Sequence, residues 1–263
     1  MTTDLLSSIR INGIRIETVE RGTGAPLLFL QPGIGIDPAA PVLDRLAARA
    51  RLIAPSHPGF GNSEQPPSFD SVDDLAYFYL DLLDELDLKG VTLVGVSLGG
   101  WIAAEMAVKS TARIARLVLA NAVGIKVGSR ETRDIADIFA MPEKEFNERA
   151  YADPAMGVRD YKAMADADVR AAARNREATA RYAWSPYMHD PKLKGRLHRI
   201  RIPTLFLWGD SDRILSEPYG RAYAAAIPGA RFETVAKAGH FPHLEQADEF
   251  ARRIFAFIEG RSS

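Results

Sequence analysis

The chain contains no cysteine among its 263 residues. This absence excludes disulfide bonds, a thiol nucleophile and thiolate metal sites. An excess of one charge is also lacking, because 33 basic residues balance 34 acidic ones and leave a formal net charge of -1. No overall electric field favours nucleic acid or an anionic membrane, so we expect neither as a partner.

The signatures of several common enzyme classes are missing as well. Neither the phosphate-binding pattern Gly-x-x-x-x-Gly-Lys-[Ser/Thr] nor the dinucleotide-binding pattern Gly-x-Gly-x-x-Gly occurs. The zinc-binding pattern His-Glu-x-x-His is also absent. We therefore expect no metal ion and no cofactor.

Long hydrophobic runs are scarce. Residues 1–8 lack the basic and apolar regions of a secretory signal, which predicts a cytoplasmic location. Residues 91–108 approach the length of a membrane span and carry a single charge, Glu105. Glycines interrupt this segment, and a strand followed by a helix accounts for the same residues. We therefore expect no membrane span.

The most informative feature that is present is Gly-Val-Ser-Leu-Gly at residues 95–99. An apolar run precedes its serine and helix-forming residues follow it, as in a nucleophile elbow, where a strand turns directly into a helix. Small flanking residues let the two elements approach, and the free N–H groups of the helix N-terminus face charge that develops beside the serine. This pattern predicts Ser97 as a nucleophile.

A serine hydroxyl is a weak nucleophile that needs a base, and the base needs a carboxylate to orient it. Asp212 and His240 follow Ser97 in the chain, each shortly after an apolar run typical of a strand. Catalytic groups of open α/β sheets gather at the carboxyl ends of the strands. Asp210 is the alternative acid and His243 the alternative base.

Short apolar runs alternate with helical patterns along most of the chain. Residues 9–19 predict an antiparallel hairpin, and the later alternation predicts a mostly parallel sheet with helices on both faces. Residues 125–198 contain no strand-like run and predict an inserted all-helical cap. We expect a core domain formed by residues 1–124 and 199–263.

These features resemble the α/β-hydrolase superfamily with a helical cap, of the serine esterase and lactonase type. The similarity covers most of residues 26–122 and 200–258, and the cap only loosely. It implies that Ser97 is the nucleophile, Asp212 the acid and His240 the base.

The resemblance also implies an oxyanion hole. The family usually has His-Gly after its third strand, whereas this chain has Gln-Pro-Gly-Ile-Gly at residues 31–35. Aligning Pro32-Gly33 with that pair makes the Ile34 N–H one oxyanion donor, and the Leu98 N–H is the other. A shift of one residue would replace Ile34 by Gly33.

The resemblance implies hydrolysis of carboxylic esters with small to medium acyl chains through an acyl-enzyme, by a monomer or homodimer. Lactones, including N-acyl homoserine lactones, are the alternative substrates, and a receptor for a signal ligand is a further alternative. Carbon–carbon bond hydrolases of this fold usually carry an aromatic pattern after the histidine that Phe241-Pro242-His243 does not match. Apolar candidates for the pocket lining are Trp101, Phe139, Met141, Trp184, Tyr187 and Met188.

Overall fold

A computed structural model describes residues 6–37 and 39–261 of the chain. Within these residues, eight strands form one sheet. They are β1 (Ser7–Ile11), β2 (Ile14–Arg21), β3 (Pro26–Leu30), β4 (Arg51–Pro55), β5 (Val91–Val96), β6 (Ile114–Ala120), β7 (Thr204–Gly209) and β8 (Arg231–Val235).

The strands follow the order β1-β2-β4-β3-β5-β6-β7-β8 across the sheet. The first two pair antiparallel, as do β2 and β4, whereas all pairs from β4 to β8 are parallel. The first hairpin turns at Asn12 and Gly13, whose φ angles of 49° and 80° suit a tight hairpin turn. The predicted mostly parallel sheet with an antiparallel N-terminal hairpin is confirmed.

Nine α-helices accompany the sheet in the described part of the chain. They are α1 (Pro41–Ala47), α2 (Val72–Glu85), α3 (Leu98–Lys109), α4 (Glu143–Ala150), α5 (Asp166–Ala183), α6 (Leu193–Arg196), α7 (Glu217–Ala225), α8 (Pro242–Glu245) and α9 (Ala247–Ile258). Two short 3-10 helices cover Pro154–Gly157 and Leu197–Arg199.

The sheet separates two apolar layers. Successive residues of a strand point to opposite faces, so Leu28 and Leu30 pack in the layer that contains α2 and α3. Leu27 and Phe29 pack in the layer that contains α1 and α9. Each fully buried side chain of this size stabilises the fold by about 1.5–3 kcal/mol. Burial on both sides holds the carboxyl ends of the parallel strands in place.

The connection between β6 and β7 is helical. Residues 121–203, all of them described, contain α4, α5, α6 and the two 3-10 helices but no strand. Helix α5 lies over the loops that follow β3 and β4, because its Thr179 and Tyr182 hydroxyls contact the carbonyl oxygens of Gly33 and Pro58. The helical character of this segment agrees with its sequence, and its division from the core as a separate domain stays a prediction.

The apolar segment 91–108 divides between β5 and α3. Among the described residues, none of the helices has both the length and the apolar character needed to cross a bilayer.

Candidate active site

Ser97 stands at the sharp corner between β5 and α3. Its backbone angles, φ of 52° and ψ of -112°, lie in a region that residues other than glycine rarely adopt. A Cβ atom on Gly95 would lie 2.3 Å from the Gly99 carbonyl oxygen, and one on Gly99 would lie 2.1 Å from the Leu30 carbonyl oxygen. Glycine at both positions therefore lets α3 sit directly on the strands, with its N-terminus beside the serine.

His240 connects Ser97 to Asp212. Its Nε2 atom lies 2.8 Å from the Ser97 Oγ atom, and its Nδ1 atom lies 2.9 Å from the Asp212 Oδ2 atom. Because an ionised carboxylate only accepts hydrogen bonds, the proton of the neutral imidazole belongs on Nδ1. Nε2 is then free to accept the proton of the serine hydroxyl, which is the arrangement that nucleophilic attack requires.

The Asp212 carboxylate has hydrogen-bond donors on both oxygens. Its Oδ2 atom also accepts from the Asn121 Nδ2 atom at 2.7 Å. Its Oδ1 atom accepts from the N–H groups of Ile214 and Leu215 at 2.8 and 3.0 Å. With the His240 contact, these bonds fix the orientation of the carboxylate toward the imidazole.

Asn121 is a site residue that sequence reasoning missed. It directly follows β6, is fully buried and has a φ of 42°. Its Oδ1 atom accepts from the Gly209 N–H at 3.1 Å, so the amide ties the end of β6 to the end of β7. Its position after an apolar run, at the sheet edge where ligands bind, is the signal that could have found it.

The alternative acid and the alternative base lie away from the Ser97–His240 contact. Asp210 is exposed and accepts from the hydroxyl of Ser211 at 2.9 Å. His243 is buried among the rings of Phe29, Phe241 and Phe250. Burial lowers the pKa of His243 to about 3, with a smaller contribution from His240. His243 is therefore a neutral packing residue near pH 7.

The two candidate oxyanion donors border the same cavity as Ser97. Leu98 is the first residue of α3, so its N–H has no acceptor in a preceding helical turn. The Ile34 N–H has no acceptor among the described residues. Gly33 also borders the cavity, so the donor residue of either alignment lies at this site.

A cavity of about 460 Å³ opens beside Ser97 and His240. Side chains of the connection between β6 and β7 supply most of its apolar wall, and Asn147, Asn175 and Thr179 add polar groups. Three of the lining candidates from the sequence border it, and these are Phe139, Met141 and Met188.

The other three candidates do not border the cavity, contrary to the expectation. Trp101 faces inward from α3, where it packs against Gly124 and its Nε1 atom lies 3.4 Å from the Glu105 Oε1 atom. Trp184 is 58% exposed. Tyr187 donates its hydroxyl to the Ala136 carbonyl at 2.8 Å. The rings of Trp184 and Tyr187 pack against Phe139 with centroid distances of 5.6 and 6.4 Å, and so support the wall from outside.

The chain belongs to the α/β-hydrolase family, whose pattern residues 27–253 match. It is 26% identical over 265 residues to a 2-hydroxymuconate semialdehyde hydrolase from Pseudomonas sp., and the match covers 94% of this chain and 91% of that protein.

Solved structures show the same fold. The crystal structure of a bromoperoxidase from Bacillus anthracis superposes with a TM-score of 0.78 at 24% identity, covering 97% of this chain and 99% of that one. An esterase from Exiguobacterium antarcticum superposes with a TM-score of 0.73 at 20% identity, covering 96% and 99% of the two chains. These superpositions show that the chain has the fold of the α/β-hydrolase family.

Proposed function

We propose that the protein is a serine hydrolase that cleaves carboxylic esters with small to medium acyl chains. The observation that carries this proposal is the continuous line of hydrogen bonds from Ser97 through His240 to Asp212 at the border of an apolar cavity. An ester needs an activated oxygen nucleophile, a proton acceptor and stabilisation of the oxyanion.

The first half of the reaction forms an acyl-enzyme. The Ser97 Oγ atom attacks the ester carbonyl carbon while His240 Nε2 takes the hydroxyl proton. Negative charge moves onto the carbonyl oxygen, where the N–H groups of Ile34 and Leu98 stabilise it. The carbon–oxygen bond to the alcohol then breaks, and His240 gives its proton to the leaving alkoxide.

The second half releases the acid. His240 takes a proton from a water molecule, whose oxygen attacks the acyl carbon through a second oxyanion intermediate. The bond to the Ser97 Oγ atom breaks, and His240 returns the proton to the serine. Asp212 and its hydrogen-bond donors keep Nδ1 protonated and the ring oriented throughout both halves.

Cleavage of a carbon–carbon bond is the second candidate function, because the 2-hydroxymuconate semialdehyde hydrolase matches nearly the whole chain. The residue after His240 is Phe241, which borders the cavity with its ring centroid 5.0 Å from that of the histidine. The whole segment Phe241-Pro242-His243 does not match the pattern expected after the histidine of carbon–carbon hydrolases, so ester hydrolysis is the proposal we favour.

Steady-state hydrolysis distinguishes the candidates. We expect turnover of p-nitrophenyl acetate, butyrate and octanoate in EDTA, with the chain-length preference reporting the usable depth of the cavity. Faster turnover of an N-acyl homoserine lactone would assign a lactonase, and faster turnover of a 2-hydroxy-6-oxodienoate would assign a carbon–carbon hydrolase. Saturable binding of such a ligand without turnover would favour a receptor. Ser97→Ala is the control throughout.

A further inference from the structure

We propose that Thr179, on α5, is a positioning residue that orients the Ile34 N–H toward the developing oxyanion. This inference rests on the proposed function, because it assigns a task to a residue of the cap segment within the same reaction. Sequence reasoning did not single out Thr179, which lies far along the chain from both oxyanion donors.

The Thr179 hydroxyl holds the carbonyl group next to the oxyanion donor. Its Oγ1 atom is buried and lies 2.7 Å from the Gly33 carbonyl oxygen. It also lies 2.8 Å from the Asn175 carbonyl oxygen, one turn earlier in α5. That carbonyl is an acceptor within the helix, whereas the Gly33 carbonyl has no other donor among the described residues. The single hydroxyl proton therefore belongs to Gly33.

The direction of the Ile34 N–H follows from this contact. The Gly33 carbonyl and the Ile34 N–H belong to one planar trans peptide group, in which the two point in opposite directions. A hydrogen bond that holds the carbonyl against α5 therefore points the N–H away from α5. The N–H has no acceptor within the described structure, and Ile34 shares its cavity with Ser97 and Leu98.

Neighbouring contacts hold the rest of the turn that residues 32–35 form after β3. The Asn175 Nδ2 atom donates to the Ile34 carbonyl at 3.0 Å, and its Oδ1 atom accepts from the Gly61 N–H at 2.8 Å. The Gly35 N–H donates to the Pro32 carbonyl at 3.0 Å. The carbonyls of Pro32, Gly33 and Ile34 therefore each have a partner, whereas the Ile34 N–H has no acceptor among the described residues.

The fit between α5 and the turn is close. A Cβ atom on Gly33 would lie 2.9 Å from both the Oγ1 and the Cγ2 atoms of Thr179. Glycine at position 33 thus admits the threonine side chain, and the threonine gives the carbonyl its partner. The oxyanion hole is accordingly shaped by a helix of the cap segment as well as by the sheet.

The test compares Thr179→Val, which keeps the side-chain shape without the hydroxyl, with Thr179→Ser, which keeps the hydroxyl. We expect Thr179→Val to lower kcat for p-nitrophenyl butyrate by about 10- to 100-fold with little change in KM, because ground-state binding does not use the oxyanion donor. Thr179→Ser should retain kcat to within about threefold. If Thr179 only stabilised the fold, Thr179→Val would not lower kcat while leaving KM unchanged.

A pair of inhibitors supplies the second measurement. A trifluoromethyl ketone adds reversibly to the serine and forms an oxyanion, whereas the corresponding secondary alcohol binds without adding. Thr179→Val should weaken binding of the ketone by the same factor by which it lowers kcat/KM, and should leave the affinity for the alcohol unchanged. If the valine variant does not fold, as judged by circular dichroism, Thr179→Ala is measured with the same pair.

Three results would overturn the proposal. These are wild-type kcat in Thr179→Val, an equal loss in Thr179→Ser, and an equal loss of affinity for the ketone and the alcohol. Wild-type turnover by Ser97→Ala would instead overturn the proposed function, so the two failures are distinguishable.

Discussion

Asp212 depends on an amide as well as on its histidine partner. Its Oδ2 atom accepts from both His240 and Asn121, at 2.9 and 2.7 Å. A hydrogen bond to a charged group contributes about 1.5–3 kcal/mol. Loss of the amide leaves the carboxylate with one fewer restraint on the side that faces the imidazole.

We therefore expect Asn121→Leu to lower kcat/KM by about 10- to 100-fold. Asn62→Leu is the matched control, since the Asn62 amide donates to the Glu17 carboxylate at 2.8 Å on the exposed surface. Steady-state kinetics with p-nitrophenyl butyrate check both variants. Wild-type kcat/KM in Asn121→Leu would show that the amide has no part in the reaction.

At the scale of residues, the sequence predicted those parts of the candidate site that have a local signal. Ser97 stands in a glycine-flanked corner, and Asp212 and His240 each follow a strand. Asn121 also follows a strand, but its role and that of Thr179 come from hydrogen bonds between segments far apart in the chain. Residue type alone could not reveal those contacts.

Helix α3 approaches the sheet so closely that glycine is required at its second position. A Cβ atom on Gly99 would collide with backbone atoms of Leu30 and Gln31. We expect Gly99→Ala to lower the free energy of unfolding by about 3 kcal/mol, the upper end for overpacking, because rigid backbone cannot move aside as a side chain could.

Gly195→Ala is the matched control for this prediction. Gly195 lies in α6, and a Cβ atom there would meet nothing within 4 Å. Alanine at this helical position should be neutral or should stabilise the protein by up to about 1 kcal/mol. Urea unfolding of the two variants checks the contrast, and equal stabilities would contradict it.

Among the elements, the short helix α8 has no counterpart in the sequence pattern. It is separated from α9 by a break at Gln246, where φ is -133° and ψ is 52°. The Glu245 carboxylate accepts from the N–H groups of Gly239 and Ala152, both at 2.7 Å. The short α8 thus belongs to the loop that carries His240, which periodicity could not show.

The candidates for the cavity lining show a second limit of predicting the elements from the sequence. Helical periodicity identifies apolar faces but does not tell whether such a face meets the cavity or the core. Phe139 borders the cavity, whereas Trp184 and Tyr187 pack behind it. Only the packing of the helices decides between the two positions.

Two buried histidines make the stability of the whole molecule depend on pH. Burial lowers the pKa of His57 to about 4 and that of His243 to about 3, from 6.5. His57 Nε2 donates to the Gln31 carbonyl at 2.9 Å, so its Nδ1 atom accepts from the Tyr79 hydroxyl at 2.6 Å. The folded protein therefore holds His57 as one neutral tautomer.

Because the pKa of each histidine is lower in the folded state, the unfolded chain binds more protons below pH 6.5. The stabilisation is complete well above pH 6.5 and is lost as the pH falls toward 4 for His57 and toward 3 for His243. We expect the free energy of unfolding to decrease by about 2 kcal/mol for each histidine between pH 7.5 and 5.

Urea unfolding at the two pH values checks this prediction. His57→Gln, which cannot titrate, should remove about half of the decrease. The exposed His198 provides the control, and His198→Gln should leave the decrease unchanged. Equal stability of the native chain at both pH values would contradict the account.

Across the whole molecule, the sequence predicted the fold, the helical segment between β6 and β7 and three of its cavity-lining residues, but not its backbone contacts with the loops of Asp212 and His240. The Arg149 and Ala150 carbonyls accept from the N–H groups of Arg213 and His240, at 3.0 and 2.6 Å. The cap segment therefore contacts both loops that carry Asp212 and His240. Because these hydrogen bonds join backbone atoms, the pattern of residue types does not predict them.

The most direct test of the central claim is the steady-state turnover of p-nitrophenyl butyrate by the native chain and by Ser97→Ala. We expect many turnovers by the native chain and a loss of at least about 10⁴-fold in the variant, because the proposed nucleophile is removed. Circular dichroism should show the same fold for both proteins. Turnover by Ser97→Ala at the native rate would contradict the proposal that Ser97 is the nucleophile.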